Sequence, residues 1–433
     1  VKNFRTPHII MEKNQMNEKI KNFSLMHAEP AWLTELRQTA FEAMSDLAMP
    51  NIERVKFNRW NLDNIEIGDS EPSGNVPSFT ELPNHPLLVQ VGSQNVMEQM
   101  RPDLAEKGVV FTDFAIALEE IPEVVQAYFG KAVSYEEDRL AASNVASFNS
   151  GAVLYIPDNV EIDVPVESTF YQDSESDLPF NKHILIIAGR NSKLNYLERL
   201  ESIGNGNTKV TGNISVEVIA LEGAQVKFAA IDLLGEHVTA YISRRGNLAN
   251  NATIDWSIGT MNDGNVICDF DSDLRGDGSH SQIKVVGLSM GKQIQGIDTR
   301  VTNFGRNSVG HILQHGVILD RGTLTFNGIG QIVRGAKGAD AQQESRVLML
   351  SDRARSDANP ILLIEENDVT AGHAASIGQV DPEDMYYLMS RGLDETTAKR
   401  LVIRGFLGAV VTEIPIKAVR DEFISIIERK LAI

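Results

Sequence analysis

From about Ala146 to Ile329 the chain keeps to one grammar: a short apolar or alternating run, then a turn built from Gly, Asn or Asp. Ala152–Pro157 and Val160–Val166 open it. It continues through His183–Ala188, Lys193–Arg199, Ser215–Ala220, Gln225–Ile231, Ala252–Ile258, Val266–Phe270, Gln282–Leu288, His311–Ile318 and Thr323–Ile329. A period of two bounded by turn formers predicts strands, and hardly a helical period interrupts them. Strands in such number form a sandwich, a barrel or a stacked solenoid. They are too many for one barrel, and N-V-E-I-D-V-P, A-Q-V-K-F-A and G-T-L-T-F-N-G read as similar rungs. The expected core is a β-helix-like stack.

Helical periods flank this core. Residues 1–28 are polar, include Met11 and Met16, and are expected to form a flexible lead-in. Trp32, Leu33, Leu36, Ala40, Phe41, Met44 and Leu47 then recur at helical spacing, with Pro30 suited to a first turn and Pro50 as a stop. Residues 61–86 hold Gly68, Pro72, Gly74, Pro77, Pro83 and Pro86 and read as a long surface connection. Two more helical patterns are expected around Gln94–Lys107 and Thr112–Phe129.

Helical spacing returns after Pro360. Asp381 caps a helix with Pro382 at its first position, a face of Met385, Leu388 and Met389, and Gly392 at its end. Asp394 starts a second helix through Ala398, Leu401, Val402, Phe406, Ala409 and Val410, stopped by Pro415. A third puts Ile416, Val419, Phe423, Ile426, Ile427 and Leu431 on one side. The expected organisation is a flexible segment 1–28, a helical domain 29–145, a β core 146–360 and a helical domain 361–433. Three short amphipathic helices cannot bury all their apolar faces among themselves, so some must pack on the β body or on a partner.

A chain of 433 residues is too long for one ordinary core. Its net charge of −19 argues against nucleic acid or an anionic membrane as the main partner. A single cysteine, Cys268, precludes an internal disulfide and suits a reducing compartment. No apolar run approaches the roughly 20 residues that span a bilayer, and no apolar core follows the basic start at Lys2 and Arg5. The expected location is the cytoplasm. The nearest approach to a phosphate loop, Gly287–Gln293, has the wrong spacing and lacks the magnesium-binding hydroxyl, so no ATPase site is read. H-E-x-x-H and C-x-x-C are both missing.

Several polar residues invite chemistry. Asp269, Asp271 and Asp273 resemble a calcium loop, but an EF-hand would want Gly where Leu274 stands and Glu where His280 stands. Strand alternation explains them better: Val266, Cys268 and Phe270 inward, the aspartates toward water. Cys268 then reads as a small core residue. His311 and His315 share a strand face without an evident third ligand and read as hydrogen-bonded histidines. His373 is different. It stands in Asp368-Val369-Thr370-Ala371-Gly372-His373-Ala374-Ala375-Ser376-Ile377-Gly378, a small-residue turn expected at the junction of the β core and the helical tail. On its own it reads either as a pin between the two modules or as an exposed ligand.

That run resembles the SufB/SufD family of iron–sulfur cluster assembly scaffolds. The likeness extends to E-P-x-W-L-x-x-L-R at Glu29–Arg37, to Asp273–Ser279 and to Gln343–Ala354. Between the two branches, the A-G-H-A-A-S-I-G form, the N-terminal signature and the lack of a cysteine-rich site favour the SufD branch. Some members of that branch carry a cysteine shortly before the histidine; Ala371 holds that slot here.

The resemblance implies a mainly β chain, with a right-handed parallel β-helix flanked by N- and C-terminal helical domains. It implies a non-catalytic scaffold that joins SufB and the ATPase SufC, with edge strands late in the stack pairing with SufB. His373 would face a SufB cysteine and help hold a transient nascent Fe–S cluster, since imidazole is a plausible iron ligand. Met385, Tyr386, Leu388, Met389, Arg391, Gly392 and Phe406 would contact the ATPase. The resemblance also admits a reduced flavin on the complex and a homodimer of the isolated chain. Two rivals stand beside it: a cytosolic carbohydrate-active β-solenoid, and a purely structural interaction protein in which His373 is dispensable.

Overall fold

The protein is described from a computed structural model, which covers residues 6–74, 76–77, 83–412 and 417–430. The N-terminal part contributes α1 (Thr6–Met26), α2 (Ala31–Ala43), β1 (Leu87–Val91), β2 (Gln94–Gln99), α3 (Pro102–Ala105), β3 (Val110–Asp113), α4 (Phe114–Glu120), α5 (Pro122–Tyr128) and α6 (Arg139–Ser147). Strands then follow one another: β4 (Ser150–Ile156), β5 (Glu161–Asp173), β6 (Phe180–Ala188), β7 (Lys193–Ile203), β8 (Val210–Ala220), β9 (Gln225–Leu233), β10 (Val238–Leu248), β11 (Thr253–Thr260) and β12 (Val266–Leu274). The series continues with β13 (His280–Ser289), β14 (Ile294–Asn303), β15 (Val309–Ile318), β16 (Thr323–Ile332), β17 (Asp340–Met349), β18 (Arg355–Ile364) and β19 (Thr370–Gln379). Helices α7 (Pro382–Ser390), α8 (Glu395–Val411) and α9 (Lys417–Lys430) complete it.

From β4 onward, odd and even strands separate into two facing sheets. One is ordered β19-β17-β15-β13-β11-β9-β7-β5-β1-β2, the other β18-β16-β14-β12-β10-β8-β6-β4-β3. Successive strands in each sheet pair in parallel, as in β13 with β15 and β14 with β16. The result is a β-solenoid of about eight turns, preceded and followed in the chain by helices.

Because register is kept, equivalent side chains stack in columns. One interior column reads Val166, Tyr196, Phe228, Trp256, Ile283, Ile312, Gln343, His373. Its rings stand 5.1 Å apart for Tyr196–Phe228 and 4.7 Å for Phe228–Trp256. One corner is equally regular. Asn159, Asn191, Gly223, Asn251, Gly278, Asn307 and Gly338 all take left-handed backbone angles. That conformation favours Gly and Asn over other residues.

Both outer faces are covered. Val419, Phe423, Ile426 and Ile427 of α9, with Ile403, Leu407 and Val410 of α8, pack on Leu197, Ile231, Val286, Leu288 and Val317 of the odd sheet. On the even sheet, α1, α2 and α4–α6 cover the first rungs. A strap with Met49, Ile52, Val55, Phe57 and Trp60 crosses Tyr241 and Ile267.

Four expectations change. Residues 6–26 are helical rather than a flexible lead-in, because Ile20 and Phe23 bury against the N-terminal core. Gln94–Gln99 is a strand: Gly92, at φ 56°, turns β2 back antiparallel onto β1, and only the short α3 follows. The β core runs past residue 360 to Gln379; Pro360 sits inside β18, an edge strand, where a missing N–H is tolerated. Asp269 and Asp271 are not solvated, since the N-terminal region covers them and Arg245 pairs with Asp271 at 2.8 Å. Pro415, Ile416 and Leu431 lie outside the described residues.

Candidate functional site

Among the described residues, the stack ends without a cap. In the odd sheet β19 pairs only with β17, and in the even sheet β18 pairs only with β16. The last rung therefore offers the free edges of both sheets. Ile364 and Ile377 are 39% and 41% exposed, values that fall to nearly zero in the rungs beneath.

His373 belongs to this rung. It lies on β19, in register with Gln343, and not in a turn. Gly372 faces the outer side, where a Cβ would sit 2.6 Å from Oε1 of Gln342; by alternation His373 is the last member of the interior column. Its neighbours Ala371, Gly372, Ala374 and Ala375 leave the ring exposed. It makes no hydrogen bond with a described residue. Among the described residues, no group of three His, Cys, Asp or Glu is placed to hold a metal ion.

Beneath it the interior turns polar. Ser345 donates to Gln314 at 2.7 Å, Gln314 to Thr299 at 2.8 Å, and Gln343 Nε2 to the Ile361 carbonyl at 2.9 Å.

The second exposed element is α7, capped by Asp381 through the Glu383 amide, with no buried residue. Tyr386, Tyr387 and Met389 are exposed, as are Arg391 and Gly392, while Met385 and Leu388 are half-buried. Phe406 departs from this group. Its ring stacks on His315 at 4.9 Å, and its carbonyl meets His315 Nδ1 at 3.1 Å, so it pins α8 to the solenoid. His315 also meets Glu344 at 3.1 Å, and His311 meets Asp340 at 3.3 Å. Both are the hydrogen-bonded histidines that the sequence predicts.

Sequence reasoning missed the charged groups inside the solenoid. Arg244 donates to Glu198 at 2.7 Å and to Asp232 at 2.6 Å, all three fully buried. Burial pushes Glu198 above the ordinary carboxylate range even though Arg244 pulls it down. Nearby Cys268 is fully buried, and burial followed by the charge of Asp232 raises its thiol well above its ordinary value. A neutral thiol so placed is a core residue, not a nucleophile.

Relatives in sequence identify the class of this solenoid, whose last rung is uncapped and whose helix α7 is uncovered. Residues 170–406 match the model described as "SUF system FeS cluster assembly, SufBD core domain", and residues 81–167 match "SufBD protein N-terminal region". The iron–sulfur cluster assembly protein SufD of Bacillus subtilis (strain 168) is 43% identical over 427 residues, 96% of this chain and 97% of that protein. SufB of the same organism is 23% identical over 424 residues, 94% of this chain and 91% of the relative. An iron–sulfur cluster assembly SufBD family protein of Staphylococcus haemolyticus is 24% identical with the same coverage. These matches define the class as an iron–sulfur cluster assembly protein on a β-solenoid. The chain belongs to the SufBD family and is a homologue of SufD. No described helix is long and apolar enough to cross a membrane.

Proposed function

We propose that this chain is the non-catalytic SufD-type scaffold of a cytoplasmic assembly complex. It docks a SufB-type partner on its last rung and the ATPase SufC on α7. The observation that carries the reading is the uncapped rung, where two free strand edges flank an exposed interior histidine. Unpaired N–H and C=O groups along an edge invite extension by a partner strand. His373 supplies one imidazole to a nascent Fe–S cluster, here the cargo. The thiolates that complete its coordination come from the partner, since among the described residues no group of three His, Cys, Asp or Glu is placed to hold a metal ion. A reduced flavin is left to the assembled complex. Family membership leaves the carbohydrate-active alternative without support.

The test is co-expression with the SufB-type and SufC-type partners and anaerobic purification. His373→Ala should keep both partners yet lower iron content and cluster absorbance. Tyr386→Ser with Met389→Ser should release the ATPase and keep the SufB-type partner. Deleting residues 381–433 would be a poor perturbation, because α8 and α9 cover Leu197, Ile231, Val286 and Val317. Unchanged iron in His373→Ala would make the histidine a structural pin. Full ATPase retention in the α7 variant would move the docking site elsewhere.

A further inference from the structure

Gln343 breaks its column. Phe228, Trp256, Ile283 and Ile312 precede it, all apolar and buried, and His373 follows it. Its amide is half satisfied. Nε2 donates to the Ile361 carbonyl at 2.9 Å, which fixes the amide, but Oε1 is buried without a partner among the described residues. An orphaned buried acceptor costs about 1–3 kcal/mol, so a core built for stability alone would continue the aliphatic column. The facing sheet makes room for this oxygen. A Cβ at Gly328 would sit 2.4 Å from Gln343 Oε1 and 3.7 Å from Gln314 Oε1.

The next residue of the column toward the open end, and one that carries a side-chain N–H, is His373. In-register parallel strands lie about 4.8 Å apart, which places His373 directly above Gln343 in the column. Neither the ring nor that oxygen has a hydrogen-bond partner among the described residues. A ring N–H donated to a fixed acceptor settles which imidazole nitrogen carries the proton and leaves the other bare for a ligand.

We propose that Gln343 is a positioning residue for His373. Its Oε1 accepts the imidazole N–H, locks one tautomer, and turns the bare nitrogen outward from the last rung. Gly328 holds the space in which the amide lies. The inference rests on the proposed ligand role of His373 for its purpose, but its geometry stands separately.

Selective 15N-histidine labelling of the full chain tests it, with the His373 signals assigned by their loss in His373→Ala. In the native chain the two ring nitrogens should give separate resonances, one protonated and one bare. Gln343→Leu matches the aliphatic column and should fold. Gly328→Ala should fold as well with the amide pushed aside, since its methyl would fall 2.4 Å from a side-chain oxygen, Gln343 Oε1, and not against backbone. In both variants the two resonances should collapse toward an averaged position, and the purified complex should retain less cluster, though more than His373→Ala. Averaged nitrogens in the native chain, or separate ones that persist in both variants, would overturn the inference. If the variants shift the tautomer while His373→Ala leaves the cluster untouched, the positioning holds and the ligand role fails.

Discussion

Arg244→Met should be among the most damaging single substitutions in this protein. It removes the cation that Glu198 and Asp232 both contact inside the solenoid, at 2.7 and 2.6 Å, where none of the three side chains is exposed. Breaking a buried ion pair from one side costs about 3–5 kcal/mol, because the partner is left charged and dry. Here two carboxylates are stranded, and Glu198 Oε2 already lacks a partner among the described residues. Against a typical stability of about 5–15 kcal/mol, the variant should sit close to unfolding. The loss should also acquire a pH dependence. Burial already raises Glu198, and without Arg244 its folded-state value must rise further. A carboxyl raised in the folded state binds more protons there than when unfolded, so its penalty grows as pH rises and is relieved in acid. Arg244→Met should therefore lose most of its stability at neutral pH and regain part of it near about pH 5. The combined variant Arg244→Met, Glu198→Leu, Asp232→Leu removes all three charges together. It should recover most of the loss, since apolar substitutes for buried ion pairs are often neutral or better. Urea denaturation at two pH values measures both effects. A loss below about 1 kcal/mol that is flat with pH would refute the view that Arg244 neutralises these carboxylates.

Two further outcomes follow from buried groups. Cys268→Ser should cost about 1–3 kcal/mol, because its hydroxyl would lie between Ile242 and Ile297 of the neighbouring strands; cluster yield per folded chain should be unchanged, and a loss of cluster at unchanged thermal stability would make the thiol a ligand. Under the strap, burial and then Asp269 raise Asp298 from 3.8 to about 7, while Asn327 donates to it at 2.9 Å. Its folded state holds the extra proton, so the strap should loosen as pH rises from about 4 to 7. Hydrogen exchange in residues 49–62 should show this trend, and Asp298→Asn should flatten it; an unchanged slope in the variant would assign the trend to another group.

The repeat was more legible than alternation alone suggests. A short phrase, polar residue then Asn or Gly then a small residue, marks the same corner of successive turns: Arg190-Asn191-Ser192, Glu222-Gly223-Ala224, Asn250-Asn251-Ala252, Asp277-Gly278-Ser279, Arg306-Asn307-Ser308 and Lys337-Gly338-Ala339. Asn and Gly alternate for a physical reason. A Cβ at Gly223, Gly278 or Gly338 would fall 2.4, 2.6 or 2.2 Å from the side-chain oxygen of the asparagine one turn earlier. This phrase predicts register, which the strand pattern cannot. It fails at the last turn, where Asp368 and Val369 follow instead, and the reading that ended the β core at 360 lost its final rung there.

The same loss explains why His373 looked like part of a turn. In β19, Ala371, Ala375 and Ile377 alternate with Gly372, Ala374, Ser376 and Gly378, so one side differs little from the other in size or polarity and the period of two disappears. Small residues suit a rung that must accept a second surface against its edge, yet they erase the signal by which strands are recognised. Gln343 and Arg244 were hidden by the opposite circumstance. A polar residue in an alternating strand is assigned to the outer face by default, but here the outer faces of both sheets are themselves buried beneath helices and the strap. Polarity therefore carries no information about side, and only register does. Once register is known, Gln343 stands out as an amide in an aliphatic column, one rung below the only histidine in that column. The chemistry proposed for this chain resides in that stacking order, which no window of neighbouring residues contains.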